Sequence, residues 1–186
     1  MNADMRYFLF AAGFFLILLL GLTVFYFLRL RRTSEATWDE LMTRLAFVDR
    51  NGIERIALDA IDESGRRRQD EDAMLLESDE IWKLIGGMKG IEALERNSQV
   101  LIDMAAHVQK WYPEALVTAE DLRLSAREIE WHVGRLRAGA GNGNLELSFG
   151  SYAQSAVATY YLMTRQLLAL YESGNFPMLG DLQKAL

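Results

Sequence analysis

Between Tyr7 and Leu28 the chain runs for 22 residues without a charge, and only Gly13, Gly21 and Thr23 fall outside the apolar set. As a helix, a run of that length rises about 33 Å, enough to cross a hydrocarbon core of about 30 Å. Tyr7 and Phe8 at one end, and Phe25, Tyr26 and Phe27 at the other, match the aromatic belts of a bilayer interface. A cleaved signal peptide would have an apolar region of about 7–15 residues followed by a small-residue cleavage site. Here the run is longer and ends Phe27-Leu28-Arg29-Leu30-Arg31-Arg32, with no such site. The expectation is a retained signal-anchor, one transmembrane helix over 7–28, contacting the lipid bilayer directly.

Arginines near the ends of the run set its expected orientation. Arg29, Arg31 and Arg32 follow it and only Arg6 precedes it. Positive residues stay on the cytoplasmic side, so residues 1–6 form a short extracytoplasmic tail and the large C-terminal part lies in the cytoplasm. The expected location is a bacterial inner membrane. Gly13 and Gly21 are not spaced as a Gly-x-x-x-Gly pair, so the run carries no dimerisation signal of that kind.

Charge separates the anchor from the rest of the chain. Residues 1–32 hold four arginines against Asp4, a net of +3; with −6 for the whole chain, residues 33–186 carry −9. A surface of that sign repels phosphate backbones, so no nucleic-acid partner is expected. The sequence has no cysteine and two histidines, His107 and His132. Disulfides, thiolate metal sites and a cysteine nucleophile are thereby excluded, and no cofactor is implied.

After a basic and polar joint at 29–37, the periodicity predicts an all-α domain over 38–186, an antiparallel helical bundle. Thr37 and Glu40 fit a capping box. Trp38, Leu41, Leu45 and Val48 then recur at helical spacing, with Asn51-Gly52 a plausible stop. Ile53–Ile61 reads as either a helix or a short strand. Residues 62–72 combine three arginines with five acids and no apolar side chain, a charged loop. Trp82–Ile85 reads as a short helix ended by Gly86-Gly87.

A long helix is expected over about 91–112, with Ile91, Leu94, Ser98, Leu101, Ala105, Val108 and Tyr112 as its seam. Asn97 falls inside the apolar arc, where a buried amide could fix register. The next helix is expected from Pro113 to about Ala138, its seam running through Ala119, Leu122, Ala126, Ile129, Val133 and Leu136. Residues 139–144 read Gly-Ala-Gly-Asn-Gly-Asn, a flexible break without the Lys-Ser/Thr ending of a phosphate-binding loop. Leu145–Phe149 alternates too briefly to claim a sheet. Tyr152–Tyr171 carries only Arg165 as a charge and is expected at the centre of the bundle.

Candidates for chemistry are few. Asp103 with His107, and Glu128 with His132, are four apart on predicted helices, whereas di-metal bundles use Glu-x-x-His, three apart and pointing inward. Both pairs fall off the apolar seams and read as solvated ion pairs, so no metal site is assigned. No catalytic residue is singled out. Val117, Leu124 and Trp131, spaced by seven, project opposite the main seam of their helix and are flanked by charge. They form either a second packing layer within the bundle or a surface for a protein partner or self-association. The leading expectation is a non-enzymatic, membrane-anchored interaction or scaffold protein; the alternative is a membrane-associated enzyme with a cleft between helices.

Overall fold

The computed structural model describes residues 3–30, 36–62, 66, 68, 75–141 and 145–186, with the side chains of 3–9, 11, 25–30 and 145–148 left aside. The chain divides into two compact units, Met1–Glu35 and Ala36–Leu186.

The first unit contains α1, Ala3–Leu30. Five consecutive side chains, Leu16 to Leu20, are exposed, so the helix presents apolar groups all round. The Thr23 hydroxyl donates to the Leu19 carbonyl at 2.8 Å, which satisfies its polar group without an outside partner. Among the described residues no helix is long and apolar enough to cross a membrane. The structure establishes α1 as a helix. Arg29 belongs to its last turn, and Arg31 and Arg32 lie outside the described residues.

The second unit is all-helical among the described residues: α2 Trp38–Arg44, α3 Arg50–Ala60, α4 Ser78–Ile85, α5 Gly87–Val108, α6 Ala115–Gly141, α7 Leu145–Ser173 and α8 Leu179–Ala185. The three long helices pack on one another, and α7 also meets α3, α4 and α8. That central position follows from its sequence, because a helix apolar nearly all round needs neighbours on every side. Its Val157, Tyr160, Met163, Leu167 and Tyr171 share one core with Leu94, Leu101 and Met104 of α5 and Leu122, Ile129 and Leu136 of α6.

Local chemistry fixes several boundaries. Thr37 caps α2 with the reciprocal bonds its sequence predicts: Thr37 N–H donates to Glu40 Oε2 at 2.8 Å and Glu40 N–H to Thr37 Oγ1 at 3.4 Å. Gly86 closes α4 in the left-handed region at φ 77° and Gly87 follows at φ 66°, conformations that a Cβ disfavours. Pro113 lies in the α5–α6 turn, and α6 begins at Ala115 rather than at the proline.

Other boundaries also differ from expectation. Asn51-Gly52 does not stop a helix; it lies in the first turn of α3, where Asp49 Oδ1 accepts the Asn51 amide at 3.1 Å. The Asx cap is the stronger local signal, and it leaves 53–60 helical. Helix α2 ends earlier, at Arg44, since the chain at Ala46 is held by Asn97 instead. Leu145–Phe149 belongs to α7, whose helix extends upstream through the short alternation. Of the charged segment 62–72, only 62, 66 and 68 are described; of the Gly/Asn-rich segment, 139–141 end α6 and 142–144 lie outside the described residues.

Candidate interaction face on helix α6

The inward and outward faces of α6 are separated by its sequence period. Ala119, Leu122, Ala126, Ile129, Val133 and Leu136 are all buried against α5 and α7. Val117, Leu124 and Trp131 remain 66%, 63% and 51% exposed. Among the described residues no second layer of the bundle covers this row. Isolated exposed apolar residues are ordinary, but these three recur at a seven-residue interval on one side of the helix, with Glu120, Asp121, Arg127 and Glu128 between them.

Charged groups rim the line and are partly committed. Arg123 pairs with Glu120, and the Gln166 amide donates to Asp121 at 3.2 Å. The Arg135 guanidinium stands 5.1 Å from the Trp131 ring centroid, a cation–π arrangement that holds the indole against its own helix. Trp131 also meets Tyr152 edge-on at 5.6 Å, so its inner edge is packed while its outer face is open. On the α5 side, Arg137 bonds Glu95 at 2.6 Å and Gln99 bonds Glu130 at 3.0 Å, which locks α6 to α5.

Both histidines depart from the solvated reading. His107 and His132 retain only 9% and 8% exposure. The side of α5 opposite its seam is itself covered by α2: Asp103 pairs with Arg44 at 2.9 Å, and His107 lies between Trp38 and Trp111. Burial, reinforced by Lys110, holds the His107 pKa below the usual imidazole value, while a hydrogen bond with the Ala36 backbone works the other way. His132 Nε2 faces Glu128 Oε1 at 3.7 Å and its ring packs on Tyr152. Among the described residues no three His, Asp or Glu side chains gather as a metal site.

Other polar groups of the interior serve packing. Asn97 Oδ1 accepts from Ala46 N–H and its Nδ2 donates to the Ala46 carbonyl, both at 2.8 Å, so one amide clamps a peptide of the α2–α3 connection. The same Nδ2 donates to Tyr160 Oη at 3.3 Å. Burial pushes the Tyr160 hydroxyl up to about 12 and raises that of Tyr171, which donates to the Met104 carbonyl at 3.0 Å.

An open cavity of about 620 Å³ lies between the α2–α3 connection and α8, lined in part by Met42, Phe47, Asp49, Arg50, Glu54 and Lys184. Two of its polar groups are engaged: Asp49 caps α3, and Arg50 donates to the Gln183 carbonyl at 2.9 Å. Neither histidine lines it. The chain matches no family model, no curated protein and no solved structure.

Proposed function

We propose that this is a single-pass membrane protein whose segment 7–28 crosses the bilayer and holds a helical interaction domain on the cytoplasmic side. The observation that carries the interaction reading is the exposed Val117–Leu124–Trp131 row on a helix whose opposite face is fully buried. The anchor reading is supported by the uncharged run of 22 residues and by the exposed apolar side chains of α1. In water such a helix would leave a large apolar surface uncovered, and lipid covers it. The cytoplasmic orientation is supported by Arg29, Arg31 and Arg32.

The test uses the full-length chain expressed in cells, beside a Leu124→Glu/Trp131→Glu variant and a chain lacking residues 1–28. Full-length protein should resist an alkaline wash of the membrane fraction, and removal of 1–28 should release the domain. The double variant should stay in the membrane and folded, with Leu124→Glu changing stability by no more than about 0.5 kcal/mol and Trp131→Glu costing about 1–2 kcal/mol through its lost contacts with Tyr152 and Arg135, and should lose the protein contacts that cross-linking traps for the wild type. Release of the intact chain by the wash rejects the anchor. Identical cross-linked products from both chains reject the face.

A further inference from the structure

A chain of aromatic rings runs across one end of the bundle and finishes at the α5–α6 turn. Trp111 meets His107 at 5.3 Å, His107 meets Trp38 at 6.5 Å, and Trp38 meets Tyr171 at 5.6 Å. Phe176 then packs on Tyr171 at 5.4 Å and on Tyr112 at 5.9 Å, which returns to the turn. The other rings are buried or half-buried, whereas Trp111 is 63% exposed. His107 supports one side of its indole and the other side is open. We infer that this turn is a second membrane contact, with Trp111 at the headgroup level of the bilayer that segment 7–28 crosses. This rests on the anchor reading above and adds a lipid-facing site to the domain itself.

Chain length brings this ring, rather than another, to the lipid. The His107 ring lies against the Ala36 backbone, where the chain enters the domain, and Trp38 is two residues further on. Five residues, 31–35, join Leu30 to Ala36, and a chain of that length reaches at most about 20 Å. With 7–28 across the bilayer, Ala36 is confined to that reach of the interface, and Trp111 is confined with it. Other exposed apolar side chains lie farther from the tether. Trp131 stands sixteen residues beyond Ala115, roughly 24 Å along α6. Leu58 belongs to the part of α3 that packs on Ala158, thirteen residues before Tyr171 and roughly 20 Å along α7.

The chemistry of the turn suits lipid. An indole carries a broad apolar ring and one N–H donor, which matches a surface that is apolar on one side and wet on the other. Charge does not supply the attraction. Asp39, Glu40, Glu114 and Glu172 lie next to the ring-bearing residues, with Lys110 beside Trp111. Anionic headgroups would repel the four acids, so the ring makes the contact and neutral headgroups suffice. One ring would not bring a free domain to a bilayer. On a tethered domain the contact is intramolecular, and the effective concentration set by the tether makes a weak contact sufficient.

The chain has no cysteine, so an introduced thiol takes a maleimide fluorophore at one position only. Glu114→Cys labels the turn beside Trp111, and Leu58→Cys labels the distant part of α3. Each full-length variant is reconstituted into phosphatidylcholine vesicles that hold, in both leaflets, a lipid with a nitroxide quencher just below its headgroup. The label at 114 should lose about half its fluorescence, as a group held near headgroup depth would, and the label at 58 should keep its own. Adding Trp111→Ser to the Glu114→Cys chain should abolish the quenching, with circular dichroism showing the domain still folded. Trp111→Tyr, which keeps a ring with a polar tip, should retain most of it. Absence of quenching at 114 in a chain that floats with the vesicles overturns the contact and leaves the anchor standing. Equal quenching at 114 and 58, or quenching that survives Trp111→Ser, also overturns it. A chain that fails to float with the vesicles overturns the anchor and this contact together.

Discussion

His107 reads from sequence as half of a solvated pair with Asp103, and the structure gives each residue a different neighbour. Helix periodicity correctly puts both off the apolar seam of α5, but periodicity does not say what covers the far side. Here α2 does, through Trp38 and Arg44. The consequence is a pH dependence whose sign is fixed. In the folded chain the His107 pKa is lowered, chiefly by burial, and in the unfolded chain it is near 6.5. Between those values the unfolded state binds the extra proton, so stability rises with pH there. His107 therefore costs no stability above about pH 6.5, and the domain weakens as pH falls through that value toward the folded-state pKa. Chemical denaturation of the detergent-solubilised protein at pH 7.5 and pH 5.5 measures this. His107→Gln, which keeps a donor for the Ala36 backbone but does not titrate, should reduce the difference between the two pH values. An unchanged difference would remove His107 as a cause. Asn97 teaches the complementary lesson. Its place within the apolar arc marks a buried amide needing partners, yet the partner is the backbone of Ala46, which no residue pattern announces.

At the scale of elements, two glycines test opposite sides of helix physics. Gly134 sits well inside α6, and a Cβ there would meet nothing within 4 Å. Replacing it by alanine should stabilise the helix by roughly 0.5–1 kcal/mol, since glycine costs about that much in a helix interior. Gly90 lies in the first turns of α5, where a Cβ would fall 1.6 Å from the Ile85 carbonyl oxygen. Gly90→Ala must push α4 away from α5 and should cost at least about 1–3 kcal/mol, as overpacking does. Thermal denaturation of the two variants should shift in opposite directions, and parallel shifts would show that the α4–α5 approach is not rigid. The long helices were legible because their apolar residues repeat over six or seven turns. The seams of α5 and α6 follow from that repetition, and the central place of 152–171 follows from its lack of a charged face. Short elements were less legible, because one cap outweighs the periodic signal. Asp49 starts α3 where Asn51-Gly52 reads as a stop, and the Gly90 close approach depends on two backbones that no side-chain pattern records.

For the whole molecule, the proposed orientation depends on the balance of arginines around 7–28. Asn at positions 29, 31 and 32 would leave only Arg6 before the run and the more distant Arg44 after it, which removes the bias. The residues after 32 carry −9, and acidic charge contributes little to orientation, so they should not restore it. Because the chain lacks cysteine, Glu77→Cys places a single thiol on an exposed position of the domain. In intact cells a membrane-impermeant maleimide should leave that thiol unlabelled, and lysis should expose it. Adding Arg29→Asn, Arg31→Asn and Arg32→Asn should produce a labelled fraction in intact cells. Full labelling of the parent Glu77→Cys chain before lysis would place the domain outside and reverse the proposed topology. Equal protection of both chains would show that something other than these arginines orients the anchor.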